Sequence, residues 1–233
     1  MEEEKKEEQE QPQEEIKEEK EEKVWVPKTE LGRLVLEGKI KDYDEILKLG
    51  KKVLEAEIID YLFPNLKSEL VLIGGRTGKG GGQQRIPIRI TAKVTKSGKR
   101  FHYSAFAIVG NEDGYVGIGR GKSNEPRKAV EKAIRNAKLN LIKVVRGCGS
   151  WECQCGGNHS IPFKVEGKSG SVRVVFMPAP KGVGLVCDDE TKKLLRLAGI
   201  KDIWAKTFGN TSMHINLIQA AFNALKKLYQ YNR

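Results

Sequence analysis

The sequence predicts an α+β protein of two domains. Three observations carry that prediction. Period-2 alternation from Ile88 to Val94 gives way to 3.6-residue periodicity from Ala129 onward. A second succession of strands and helices begins at Ile161. Between the two lies a Cys- and Gly-rich link, residues 148–159. A length of 233 residues suits two compact domains plus extensions.

Residues 1–23 form an acidic tail of Glu, Lys and Gln in which Ile16 is the one aliphatic residue after Met1. So little apolar surface does not offset the entropy of ordering a chain, and a disordered, solubilising tail is expected. An N-terminal extension, 24–82, follows. Val24–Gly38 reads as extended. Lys41–Leu62 reads as a helix, because Ile46, Leu49, Val53, Ile58, Ile59 and Leu62 recur near the helical period, and Phe63-Pro64 ends it. Leu70–Ile73 reads as a short strand, and Gly74–Arg85 as a flexible basic loop.

The first domain, 83–147, is expected as β-β-β-α. Ile88, Ile90, Ala92 and Val94 share one strand face and Arg89, Thr91, Lys93 and Thr95 the other. Lys96-Ser97-Gly98-Lys99 turns the chain, Arg100–Val109 returns, and Gly110–Gly114 turns it again into Tyr115–Gly119. A helix capped by Ser123 or Asn124, with Pro126 in its first turn, faces a core with Ala129, Val130, Ala133, Ile134, Ala137 and Leu141. The second domain, 160–233, is expected as β-β-α-β-α. It comprises a hairpin of Ile161–Glu166 and Ser171–Met177, a rigid turn at Pro178–Gly184, and a helix capped by Asp188 or Asp189 and stopped at Gly199. A strand, Ile200–Phe208, and a final amphipathic helix capped near Asn210–Ser212 complete it.

Charge bounds the function. The formal total is +11, but the tail holds 12 Glu against 5 Lys, so the body carries +18. A body this basic calls for a polyanion, with nucleic acid first. No apolar run approaches the roughly 20 residues of a membrane span. The acidic start is neither a signal nor a transit peptide, so a cytoplasmic protein is expected.

Two glycine-rich segments invite a nucleotide reading and fail it. Gly74 to Gly78-Lys79 is one spacer short of a P-loop, and Gly80 stands where the Mg²⁺-binding hydroxyl belongs. Gly117-Ile118-Gly119-Arg120-Gly121-Lys122 misses the dinucleotide pattern. Basic residues in turns and loops suit phosphates instead. The candidates are Arg76, Lys79 and Arg85 in the glycine loop, and Lys93, Lys96, Lys99 and Arg100 at the hairpin. Arg120, Lys122 and Arg127 are expected around a helix N-terminus, whose dipole favours anions. The bland alternative for each is ordinary solvated surface.

Cys148, Cys153, Cys155 and His159 are spaced C-x4-C-x-C-x3-H. Three thiolates and an imidazole suit tetrahedral Zn²⁺, and four ligands imply a closed structural site rather than a catalytic one. Free thiols or a labile disulfide are the alternatives. Cys187 is expected to be a buried thiol. Neither His102 nor His214 sits in a nucleophile–base pattern, so no enzyme is expected.

The stretch Gly98–Lys122, with Gly110-Asn111-Glu112-Asp113-Gly114 and Gly117-Ile118-Gly119-Arg120-Gly121-Lys122 inside it, closely resembles the universal S-five family of small-subunit ribosomal proteins. So does Pro178-Ala179-Pro180-Lys181-Gly182-Val183-Gly184, followed by Leu197-Ala198-Gly199-Ile200 and Asp202. The Cys/His link and the N-terminal extension resemble the archaeal branch. The resemblance implies a double-stranded-RNA-binding-like first domain and a second domain with the fold named after the family. It implies rRNA as partner, with S-four and S-eight proteins as neighbours and an mRNA entry path shared with S-three. It also implies an influence on decoding accuracy, no membrane and no small-molecule substrate. The first hairpin, Lys96–Arg100, inherits contact with rRNA near the neck. A free RNA-binding regulator is the alternative, and a zinc enzyme acting on nucleic acid a remoter one.

Overall fold

The computed structural model describes residues 25–77, 83–153 and 155–231. The acidic tail, Lys79 and the rest of 78–82 lie outside the described residues. The chain order is α1 (Glu30–Leu36), α2 (Tyr43–Leu49), α3 (Ala56–Leu62), β1 (Lys67–Leu70), β2 (Gly74–Thr77), β3 (Gln83–Ile86), β4 (Ile88–Thr95), β5 (Gly98–Gly110), β6 (Tyr115–Ser123), α4 (Pro126–Leu139), β7 (Leu141–Lys143), β8 (Val165–Ser169), β9 (Val172–Pro178), β10 (Leu185–Val186), α5 (Asp189–Leu197), β11 (Ile203–Phe208) and α6 (His214–Tyr231).

The N-terminal extension departs most from expectation. Val24–Gly38 is not extended throughout: the Thr29 side chain accepts from Gly32 N at 3.1 Å and starts α1. The long helix expected over Lys41–Leu62 is two helices. Gly50 adopts φ +66° and closes α2 in the left-handed cap that glycine favours. Glu55 then turns away to receive Lys28 N at 3.0 Å, Thr29 N at 2.7 Å and Trp25 Nε1 at 2.9 Å. These partners hold its carboxyl below the usual range against the desolvation that raises it. A small core of Leu31, Val35, Tyr43, Ile46, Ile58 and Ile59 joins Leu141 of the first domain. Tyr43 donates to Leu141 O at 3.0 Å, and burial pushes its phenol up to about 12.

In the first sheet the order is β1-β5-β6-β7, and β4 lies on the same edge of β5 that β1 uses further along. The expected strand Leu70–Ile73 is instead Lys67–Leu70. Beyond it Val71 and Ile73 are buried while Glu190 and His214 hold the backbone of Leu72. The expected loop Gly74–Arg85 is paired at both ends, as β2 against β3. Gly74 has no room for a side chain there, since a Cβ would sit 2.3 Å from Ile88 O.

The β4–β5 hairpin outruns the sheet. Strand β6 pairs with β5 only from Tyr103 onward, so the stretch from Thr91 to His102 has no third strand beside it. Its apolar face is therefore open: Val94 is 73% exposed and Ile90 54%.

Helix α4 lies on the other end of that face. It is preceded by Glu125, which makes no side-chain cap, rather than capped by Ser123 or Asn124. Its buried Ala129, Ala133 and Ala137 rest on a β6 stripe of Gly117, Gly119 and Gly121, where any Cβ would come within 2.1–2.2 Å of helix backbone. These glycines thus seat a helix.

The second sheet runs β10-β11-β9-β8, with β10 parallel to β11. Asp188 caps α5, accepting from Glu190 N at 3.1 Å, and Gly199 follows its end at φ +76°. Of the hairpin strands, β8 begins at Val165, four residues later than expected, and runs on to Ser169, β9 keeps its expected length one residue further on, and the later strand begins at Ile203. Helix α6 begins at His214. One continuous core joins Phe106, Ile108 and Ile118 of the first sheet to Val174, Phe176, Leu194, Leu217 and Leu225 of the second unit. The described helices include none long and apolar enough to cross a membrane.

Candidate nucleic-acid interface and metal centre

Strand register decides where the basic residues point. Arg89 and Lys122 both align with Ser104, Lys93 aligns with Arg100, and Thr91 aligns with His102. Alternation along β5 then places Arg89, Lys93, Arg100, His102, Lys122 and Arg120 on one face of the first sheet, opposite α4. All five of these Arg and Lys side chains are exposed. Lys96 stands in the turn, and Lys99 lies beside Val94 on the opposite face, so cations surround the hairpin tip.

Arg120 and Lys122 belong to β6, not to a helix N-terminus as expected; Arg127 is in the first turn of α4. Arg85 is exposed on β3, with its guanidinium 3.5 Å from Ser212 O. Arg76 is in β2. Arg120 also leads into a cleft of about 1080 Å³ between the first domain, the N-terminal extension and α6. Lys51, Lys52 and Lys226 line that cleft with the carboxamides of Asn136 and Asn223, and no acidic residue lines it. Arg89, Lys51, Lys52 and Lys226 were not singled out from the sequence. The two-residue repeat Arg89-Lys93 was the available signal for Arg89; the other three required the tertiary fold.

The link gathers its four candidate ligands. One ligand atom from each of Cys148, Cys153, Cys155 and His159 lies within 4.8 Å of all the others. Cys153 Sγ is 3.8 Å from His159 Nε2; tetrahedral Zn²⁺ would bring such a pair to roughly 3.6 Å. The donor set and spacing therefore fit zinc. The loop is pinned to the second domain through Gly147–Ser160 pairing and Gly149 N donating to Ile161 O. Gly149 passes so close to Pro162 O that a Cβ would meet it at 2.0 Å.

Local electrostatics favour one thiolate. The backbone N–H of Lys181 faces the Cys153 sulfur and, with the Cys155 thiol and N–H, brings Cys153 down to about 6. Desolvation and the neighbouring thiols push Cys148 up to about 11. Cys187, partly buried, is pushed up to about 11 by desolvation and stands apart from this group.

His159 is buried and its Nδ1 lies 2.8 Å from Asp202 Oδ2. A carboxylate only accepts, so Nδ1 carries the proton and the Nε2 lone pair faces the sulfurs. Asp202 lies in the motif that follows Leu197-Ala198-Gly199-Ile200, but its contact with His159 across 43 residues is not legible in the sequence.

Most of the chain matches known proteins. Residues 83–145 match the model of the ribosomal protein S5 N-terminal domain, and residues 167–233 that of the ribosomal protein S5 C-terminal domain. The small ribosomal subunit protein uS5 of Nanoarchaeum equitans is 55% identical over 204 residues, covering 88% of this chain and 87% of the relative. The chain belongs to the ribosomal protein S5 family. The uS5 protein of Thermofilum pendens is 52% identical over 89% of this chain and 95% of its own length. That of Staphylothermus marinus is 50% identical over 89% and 90% respectively. The S5 matches bear out the two-domain α+β expectation and the resemblance to the archaeal branch. The ribosomal protein S5 family is not an enzyme family.

Proposed function

We propose that this S5-family chain is a structural, non-catalytic constituent of the small ribosomal subunit that binds rRNA in the cytoplasm. The observation that carries this reading is the strand register, which collects the exposed Arg89, Lys93, Arg100, Arg120 and Lys122 on one face of the first sheet. Duplex or looped RNA presents phosphates that such a face neutralises, with release of counterions. Lys96 and Lys99 at the hairpin tip extend the contact, and Arg76, Lys79, Arg85 and Arg127 complete the proposed set. The neighbours in this reading are S-four and S-eight proteins, with S-three at the mRNA entry path, and the contribution is to decoding accuracy.

The working divisions are a tail at 1–23, an extension at 24–82, an RNA-binding domain at 83–147, the link at 148–159 and a second domain at 160–233. Within the link we assign a structural Zn²⁺ to the thiolates of Cys148, Cys153 and Cys155 and to His159 Nε2. The ion would tie together a loop whose four candidate ligand atoms already lie within 4.8 Å of one another.

The test is sedimentation of cell extract through sucrose after a high-salt wash. Comigration with small subunits supports the assignment. Recovery of the chain only at the top of the gradient would move it to a free RNA-binding regulator.

A further inference from the structure

We propose that the ion in the Cys148–His159 link fixes the Pro178–Gly184 turn, and that Asp202 is the positioning residue that joins the two. The proposal rests on the Zn²⁺ assignment above.

Between its ends, where Pro178 pairs with Ile203 and Gly184 O accepts from Ile203 N, the turn has no ladder to hold it. Pro178 and Pro180 lack an N–H, and the remaining donors are almost all directed at the link or at Asp202. Ala179 N donates to the fully buried Ser160 Oγ at 3.2 Å. The N–H of Lys181 faces the Cys153 sulfur. Gly182 N at 3.0 Å and Gly184 N at 2.8 Å both donate to Asp202 Oδ1. The other oxygen of the same carboxylate receives His159 Nδ1–H. Asp202 is 5% exposed and His159 9%, so neither has solvent as a substitute partner. The backbone closes the circuit, because His159 O accepts from both Lys201 N and Asp202 N.

A ligand histidine held at Nδ1 by a carboxylate is fixed at both ends only while its Nε2 binds the metal. Metal loss therefore frees two supports of the turn together: the sulfur that receives Lys181 N–H and the ring that steadies Asp202. What the turn presents is exposed: the Lys181 side chain and Val183, followed directly by the edge strand β10.

Asp202→Asn breaks the link whichever way the amide lies. With its NH₂ toward His159, it meets Nδ1 as donor and shifts the ring proton to Nε2, the ligand atom. With its oxygen toward His159, it offers NH₂ to the N–H groups of Gly182 and Gly184.

The experiment is amide hydrogen exchange on the full chain, loaded with Zn²⁺ and then stripped by a chelator, with the metal assayed in parallel. The expected result is one zinc per chain, with amide exchange at Lys181, Gly182 and Gly184 at least tenfold faster after stripping. Val174 and Phe176 in the central strand β9 keep their protection. Asp202→Asn should bind zinc about 10–100-fold more weakly and show the same three fast amides. A chain that holds no zinc when loaded overturns the metal assignment and this proposal with it. Zinc that binds and leaves without changing the three amides overturns the coupling alone. Asp202→Asn with parental zinc affinity and parental turn protection removes Asp202 from the path.

Discussion

Gly119→Ala tests whether the glycine stripe of β6 is a seat for α4. A Cβ at Gly119 would lie 2.2 Å from Ala137 N and 2.3 Å from Ala133 O, both backbone atoms of the helix. Ordinary contact begins near 3.4 Å, so the helix must retreat by roughly 1 Å, a gap that forfeits a quarter to a half of each dispersion contact it had. The contacts at stake are those of Ala129 and Ala133 with Ala105 and Ala107. Overpacking typically costs about 1–3 kcal/mol, and a clash with helix backbone at more than one atom belongs at the upper end. Alanine also restricts the unfolded chain, which returns about 0.4–1 kcal/mol. A net loss of roughly 2–2.6 kcal/mol at about 2–4 °C per kcal/mol gives a Tm lower by about 4–10 °C. Thermal unfolding followed by circular dichroism reads this directly. Gly75→Ala is the control, because nothing lies within 4 Å of its Cβ position and its effect should stay within about 0.5 kcal/mol. A Gly119→Ala chain melting within a degree of the parent would refute the seat.

The remaining predictions concern charge and the link. Replacing Lys96, Lys99 and Arg100 together with Gln should weaken rRNA binding and flatten its log–log salt slope by about 2–3, near one for each lost phosphate contact; an unchanged slope takes the tip out of the interface. Cys153→Ser should lower bound zinc while Cys187→Ser leaves it intact, and equal metal content in the two variants would argue against the Cys148–His159 site. Asp44 is partly desolvated, which raises its carboxyl, but hydrogen bonds from Lys143 and Tyr115 bring it net below the usual value. Its stabilisation is therefore present above the ordinary carboxylate range and lost as pH falls through the lowered value. Asp44→Asn should accordingly melt below the parent at neutral pH, with the gap closing below about pH 4; a gap that does not depend on pH would contradict the ion pair.

How much of this could be read from the sequence differs element by element. The 3.6 period of α4 was visible because that helix buries one face against the sheet, and the period-2 run in β4 because successive side chains of a strand point to opposite faces. The open apolar face at Ile90 and Val94 was not, since alternation does not say where a third strand stops. Gly50 after Leu49 is a helix-ending signal that the apolar periodicity across it obscured. The helix at Glu30–Leu36 had its own sign in Thr29, but seven residues give little period to find. Grouping Cys148, Cys153, Cys155 and His159 needed only local spacing. Asp202, by contrast, reaches His159 through the packing of β11 beside the link, and no local pattern encodes that. The basic cleft was hidden for the same reason: Lys51, Arg120 and Lys226 come from three separate parts of the chain.

The join between the two halves has a consequence for the life of the free chain. Leu197 O receives Glu112 N at 2.9 Å, and Gly110 and Gly199 press so closely on the opposite backbone that a Cβ at either would meet an oxygen at 2.4 or 2.2 Å. With Phe106 and Leu194 in one apolar cluster, the two halves share an interior although they match separate family models. Melting one half would strip the other of a wall. Heredity can therefore treat them as two modules while thermodynamics treats them as one, and a newly made copy awaiting its RNA is either whole or open to proteolysis along its length.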